Sequence, residues 1–87
     1  MEKTTSMRCY VYRSPRKKET YLFLSRRDDF SDLPAALLEV FGKPQFSFAF
    51  DLSSERSLVR ENSAEVMENM ESRGFHLQMP PENAWVL

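Results

Sequence analysis

Few residues in this 87-residue chain are equipped for covalent or metal chemistry. There is one cysteine, Cys9, and one histidine, His76. There is an adjacent carboxylate pair, Asp28-Asp29, with Asp32 and Asp51 as the other aspartates. A hard cation needs several oxygens converging on one point. Adjacent side chains on an extended strand point apart, so Asp28-Asp29 reads as turn chemistry. One aspartate closes an Asx-type turn and the other supports the N-terminus of a following helix, where negative charge is favoured. A zinc site takes three or four protein ligands, which one Cys and one His do not supply. With Cys9 on the core face beside Val11, and His76 facing away from Phe75 and Leu77, the two fall on opposite sides of the sheet. No Cys-His nucleophile pair is then expected. An enzyme would require Asp28, Asp29, Asp51 or His76 to meet in one pocket. The only glycines, Gly42 and Gly74, sit where helices stop, so no phosphate-cradling loop is present. No catalytic, metal or cofactor-binding residue is expected.

Recognition chemistry is better represented. Arg8, Tyr10 and Tyr12 share one parity along a strand. Arg13, Arg16, Lys17, Lys18, Arg26 and Arg27 cluster around the hairpin that follows. Rings that stack bases and cations that hold phosphates would make a platform for single-stranded RNA, although no aromatic RNP-type motif accompanies them. The same patch suits a protein partner, because exposed aromatics and open strand edges both accept one. The candidate partner surface is therefore Tyr10, Tyr12, Arg13, Arg16, Lys17, Lys18, Arg26 and Arg27. The competing reading buries the tyrosines in cross-strand pairs and leaves the bases as a solvated loop.

These residues need a scaffold. MRCYVYR (7–13) and TYLFLSR (20–26) are rich in aromatic and branched residues and flank the polar SPRKKE, which reads as a β-hairpin. LPAALLEVFG (33–42) repeats Leu33, Leu37 and Phe41 at helical spacing. Ser31 or Asp32 is the expected N-cap, Pro34 falls in the first turn, and Gly42 and Pro44 end the helix. QFSFAFDLS (45–53) alternates, placing Phe46, Phe48, Phe50 and Leu52 on one face. Ser57–Val59 could add a short strand. A second helix, 63–73, opens with Asn62 and Glu65 at capping-box spacing and packs Val66, Met67 and Met70. FHLQMP (75–80) alternates again, with Phe75, Leu77 and Met79 inward and His76 and Gln78 outward. The order β-β-α-β-(β)-α-β points to an α+β fold. The economical form is a two-layer sandwich with both helices on one face of a mixed, largely antiparallel sheet.

Bulk properties fit one small domain spanning 1–87, with its core in 7–81, a short flexible N-terminus and a C-terminal tail in which Trp85 docks. A lone cysteine allows no internal disulfide, no run approaches a membrane span, and MEKTTSM lacks a signal-peptide h-region. A cytoplasmic monomer or weak homodimer is expected. Net charge is −1 overall but unevenly spread. Residues 1–27 hold eight Lys/Arg against two Glu, a balance of +6; residues 28–87 hold four against eleven, a balance of −7.

The ordered set YVYRS, TYLFL, RDDFSDLP, FGKPQ and LQMPP resembles the YcgL family of small single-domain proteobacterial proteins, over roughly residues 7 to 81. Members of that family often extend further past the Pro-Pro. The resemblance implies a compact α/β fold and no particular activity. The combined expectation is a non-enzymatic interaction or regulatory module with an unknown protein partner. The alternative is weak single-stranded RNA binding through the basic hairpin, and an enzyme ranks third.

Overall fold

The computed structural model describes residues 6–53 and 63–80. The strand expected at 57–59, the Asn62 cap and the Trp85 tail lie outside them. The elements are β1 (Ser6–Arg13), β2 (Tyr21–Leu24), α1 (Ala35–Phe41), β3 (Gln45–Ser53), α2 (Ser63–Arg73) and β4 (Phe75–Gln78). The sheet order is β3-β1-β2-β4, and every ladder is antiparallel. The α+β class therefore holds, with no parallel pair among the described strands.

The helices are placed differently from the expectation: they cover opposite faces of the sheet. Cys9, Val11, Phe23 and Leu52 pack against Val66, Met67 and Met70 of α2. Tyr12, Leu22 and Leu24 pack against Leu33 and α1's Phe41, with Leu37 and Leu38 alongside. Val11 and Tyr12 are neighbours, as are Leu22 and Phe23, and successive side chains on a strand face opposite ways. The molecule thus has three layers and two small cores, not two layers and one. The cause is visible in β1 and β2, which are apolar at both parities. A strand of that kind is stable only when both faces are covered.

Helix α1 starts later than the spacing suggests. Pro34 is its N-cap residue, at φ −62° and ψ 143°, without a side-chain cap. Its carbonyl accepts from Leu37 and Leu38 N–H. Proline disfavours helical geometry in the residue before it, so Leu33 cannot join the helix. The C-terminus behaves as expected: Gly42 N–H donates to Leu38 O at 2.8 Å, with φ +86° at the glycine.

Strand β3 departs from strict alternation. Its register with β1 slips between Val11 and Tyr12, so that Val11 faces Phe48 but Tyr12 faces Phe46. This bulge inserts one extra residue and turns Phe46 to the α1 face, while Phe48, Phe50 and Leu52 stay on the α2 face.

Candidate functional site

The aspartate pair resolves into two structural devices. Asp28 takes a left-handed conformation, φ +62°, which Asp tolerates better than most residues. There its N–H donates to Tyr12 Oη at 2.6 Å, and the phenol donates back to Asp28 Oδ1 at 2.8 Å. Burial, then the hydrogen bond to Asp28, raises the Tyr12 pKa above its ordinary value. Asp29 Oδ1 accepts from Ser31 N–H and Oγ–H at 3.1 and 2.6 Å, an Asx-type turn. Those bonds hold the Asp29 carboxyl below its ordinary range. Asp51 lies on β3, paired with Arg8 at 2.9 Å, and Asp32 packs against Gly74. Each carboxylate is committed to a different neighbour, and no cluster of three or more His, Cys, Asp or Glu suited to a metal occurs among the described residues.

His76 is buried, not outward-facing, at 6% exposure. It sits opposite Phe23 in the β2–β4 ladder and meets that ring edge-on at 5.6 Å. Asn69 Nδ2 lies 2.9 Å from its Nδ1. An amide nitrogen only donates, so Nδ1 is the acceptor side of this contact. Cys9 is on this same α2 face, with Sγ 4.0 Å from Met70 Sδ. β2 runs between the two strands that carry Cys9 and His76, setting their backbones about 10 Å apart.

The basic hairpin is tethered. Ser14 Oγ donates to Phe41 O at 2.5 Å and accepts from Arg16 and Lys17 N–H. Arg16 Nη1 donates to Glu39 O at 3.0 Å. The tyrosines of the expected platform lie on the α1 side of the sheet: Tyr12 is 1% exposed, with the Phe30 and Phe46 rings edge-on to it at 5.1 and 5.6 Å, and Tyr10 is half-buried against the same core. Arg13, Lys18, Arg26 and Arg27 remain exposed, so the cations are displayed without the rings. Arg26 and Arg27 reach Asp29 and Asp28 at 3.9 and 3.8 Å, surface pairs that contribute little.

A cleft of about 410 Å³ separates the loop after β2 from the end of α2. Arg26 and Arg73 line it together with Asp29, Asp32 and Glu71. Its charges are mixed, and two of its three carboxylates are already engaged in turn geometry or packing.

The more distinctive surface is the margin formed by β3. No strand pairs with its outer side among the described residues. Phe46 and Phe48 are 40% and 50% exposed there. Phe46 packs edge-on against Tyr12 at 5.6 Å, and the Arg27 guanidinium covers its ring at 4.2 Å. Phe48 leans on Phe50 at 5.8 Å. Sequence reasoning assigned both rings to a buried face. The signal was present in the strand's other parity, where Gln45, Ser47 and Asp51 mark a strand at the rim.

The model of the YcgL domain matches residues 9–81. A YcgL domain-containing protein of Thioalkalivibrio sulfidiphilus is 51% identical over 88% of this chain and 95% of its own length. YcgL domain-containing proteins of Pseudomonas paraeruginosa and of Pseudomonas aeruginosa PAO1 are each 55% identical over 84% of this chain and 75% of theirs. The geometry and these matches agree, and the chain belongs to the YcgL domain family.

Proposed function

We propose that this domain is a non-enzymatic interaction module that accepts an extended segment of a partner protein along the outer edge of β3, which no described strand covers. The observation that carries the reading is a nine-residue marginal strand with two exposed phenylalanines. Edge strands are normally blunted by brevity, proline or lysine. The opposite margin is blunted: β4 has four residues, and Pro80-Pro81 follows shortly after it. β3 contains neither Pro nor Lys. Its backbone can supply ladder hydrogen bonds, and its two rings can supply apolar contact on either face of an added strand.

Selection of a random twelve-residue peptide library on the immobilised protein tests this. Enriched peptides should show alternating apolar residues and shift the amide resonances of residues 45–53. They should lose binding to a Phe46→Ser, Phe48→Ser variant. Peptides that bind the variant equally well, or shifts confined to the hairpin, would remove the reading.

A further inference from the structure

The edge is uneven in charge, and this points to the kind of segment it takes. Resting on the strand-addition reading above, we infer that the partner is an extended peptide running antiparallel to β3 with acidic residues at its C-terminal end. Around the start of β3 the structure gathers cations from three separate elements. Arg13 lies directly opposite Gln45 in the β1–β3 ladder. Arg27 sits over the Phe46 ring at 4.2 Å. Lys43, two residues before Gln45, is exposed. The acids near this corner are Asp28, 3.8 Å from Arg27 and already bound to the Tyr12 phenol, and Glu39, four residues before Lys43 and beside Arg16. At the far end the described residues are balanced, since Asp51 is matched by Arg8 at 2.9 Å and Ser53 faces Ser6. Arg27 and Phe46 serve the α1 face. Arg13 pairs across to Tyr21, which packs with the α2-side core. The corner therefore carries a cation on each face of the sheet, Arg27 over Phe46 on the α1 face and Arg13 one strand inward on the α2 face.

Direction follows from the ladder. Every pairing in this sheet is antiparallel, and antiparallel pairs are slightly more stable per residue than parallel ones. β3 runs from Gln45 to Ser53. An antiparallel addition places the partner's C-terminal end beside Gln45 and its N-terminal end beside Ser53. Acids near the partner's C-terminus would then meet Arg13, Arg27 and Lys43, and basic residues there would be repelled. Charge of this kind selects the partner and its register more than it adds affinity.

The test uses three fluorescein-labelled decapeptides that share an alternating Thr-Val core. One ends in Glu-Glu at the C-terminus, one carries Glu-Glu at the N-terminus, and one ends in Lys-Lys. Anisotropy titrations against the full chain should rank the C-terminal Glu peptide first. It should bind about five- to tenfold tighter than the Lys peptide, the scale of two exposed charge pairs. In an Arg13→Glu, Lys43→Glu variant the ranking should invert; both positions are exposed, so the fold is retained. Equal binding of all three peptides that is still lost in the Phe46→Ser, Phe48→Ser variant would overturn the charge inference and leave strand addition standing. Failure of all three to bind would remove both. A labelled uridine decanucleotide that displaces the Glu peptide from the wild type would assign the corner to nucleic acid and overturn the peptide reading.

Discussion

At the scale of single residues, polar side chains in this protein are spent on holding loops to the sheet. Tyr12 is the clearest case, because its hydroxyl both donates to and accepts from Asp28. Tyr12→Phe keeps the ring and removes both bonds, so it should destabilise by about 1–2 kcal/mol, the cost of leaving such partners unsatisfied. Urea denaturation measures it. The raised Tyr12 pKa has a definite sign. A group more easily protonated in the folded state stabilises the fold below its unfolded pKa, and that contribution is lost as pH rises through the folded value. Tyr12 should accordingly be absent from the phenolate absorbance rise at the ordinary tyrosine value of 10.0 and ionise above it. Asp29 has the opposite sign. Its carboxyl is held below 3.8 by the Ser31 bonds, so its contribution is present at neutral pH and lost as pH falls through that lowered value. Ser31→Ala should return the Asp29 titration, followed by carboxyl carbon NMR, towards 3.8. Gly74 is fixed twice, by φ +90° and by the Asp32 carboxylate that a Cβ would overlap. In a Gly74→Ala, Asp32→Ala double-mutant cycle, removing the Asp32 carboxylate should recover the larger share of the steric loss, and the retained Cβ at position 32, 2.9 Å from the added methyl, keeps the rest. The backbone part, about 1 kcal/mol or more, should remain.

At the scale of elements, the hairpin, both helices and all four described strands are legible in the sequence, because their periods and stop signals agree. The faces were not. Alternation in β3 and β4 suggested a sheet with one wet side, whereas CYVY in β1 and YLFL in β2 are unbroken apolar runs. Such runs belong to central strands covered on both sides. Treating those runs as one-sided put His76 in water and both helices in one layer. The bulge that turns Phe46 was invisible for another reason: it is a register slip between two strands, and no local residue preference in QFSFAFDLS encodes it. Two-sided burial makes a sharp prediction for neighbouring residues. Leu22 packs on the α1 side and Phe23 on the α2 side. Leu22→Ala and Phe23→Ala should each cost about 2–5 kcal/mol, as large-to-small changes in a core do. A sheet with one solvent face would tolerate one of the two, so a loss under about 1 kcal/mol at either position in chemical denaturation would contradict the three-layer arrangement.

At the scale of the whole molecule, that arrangement restricts where a partner can bind. A sheet bare on one face could offer Tyr10 and Tyr12 as a stacking platform, and the basic balance of +6 in residues 1–27 would then describe a nucleic-acid surface. With Tyr12 buried and Tyr10 half-buried in the core on that side, the same charge is displayed with little ring surface to stack on, and single-stranded RNA meets chiefly attraction to its phosphates. Two consequences separate this case from a true RNA site. Binding carried only by phosphate contacts falls linearly in log–log terms with salt and is indifferent to base identity. It is also indifferent to the rings, whereas each stacked base is worth about 1–3 kcal/mol on alanine substitution. Anisotropy of a labelled single-stranded RNA against the wild type should therefore show weak association at low salt that disappears at moderate salt. Tyr10→Ala should leave it unchanged, and Arg16→Ser, Lys17→Ser, Lys18→Ser should reduce it. A ring-dependent component that survives moderate salt would mean that the half-buried Tyr10 ring stacks a base, and it would move the functional surface from the β3 margin to the α1 side of the sheet.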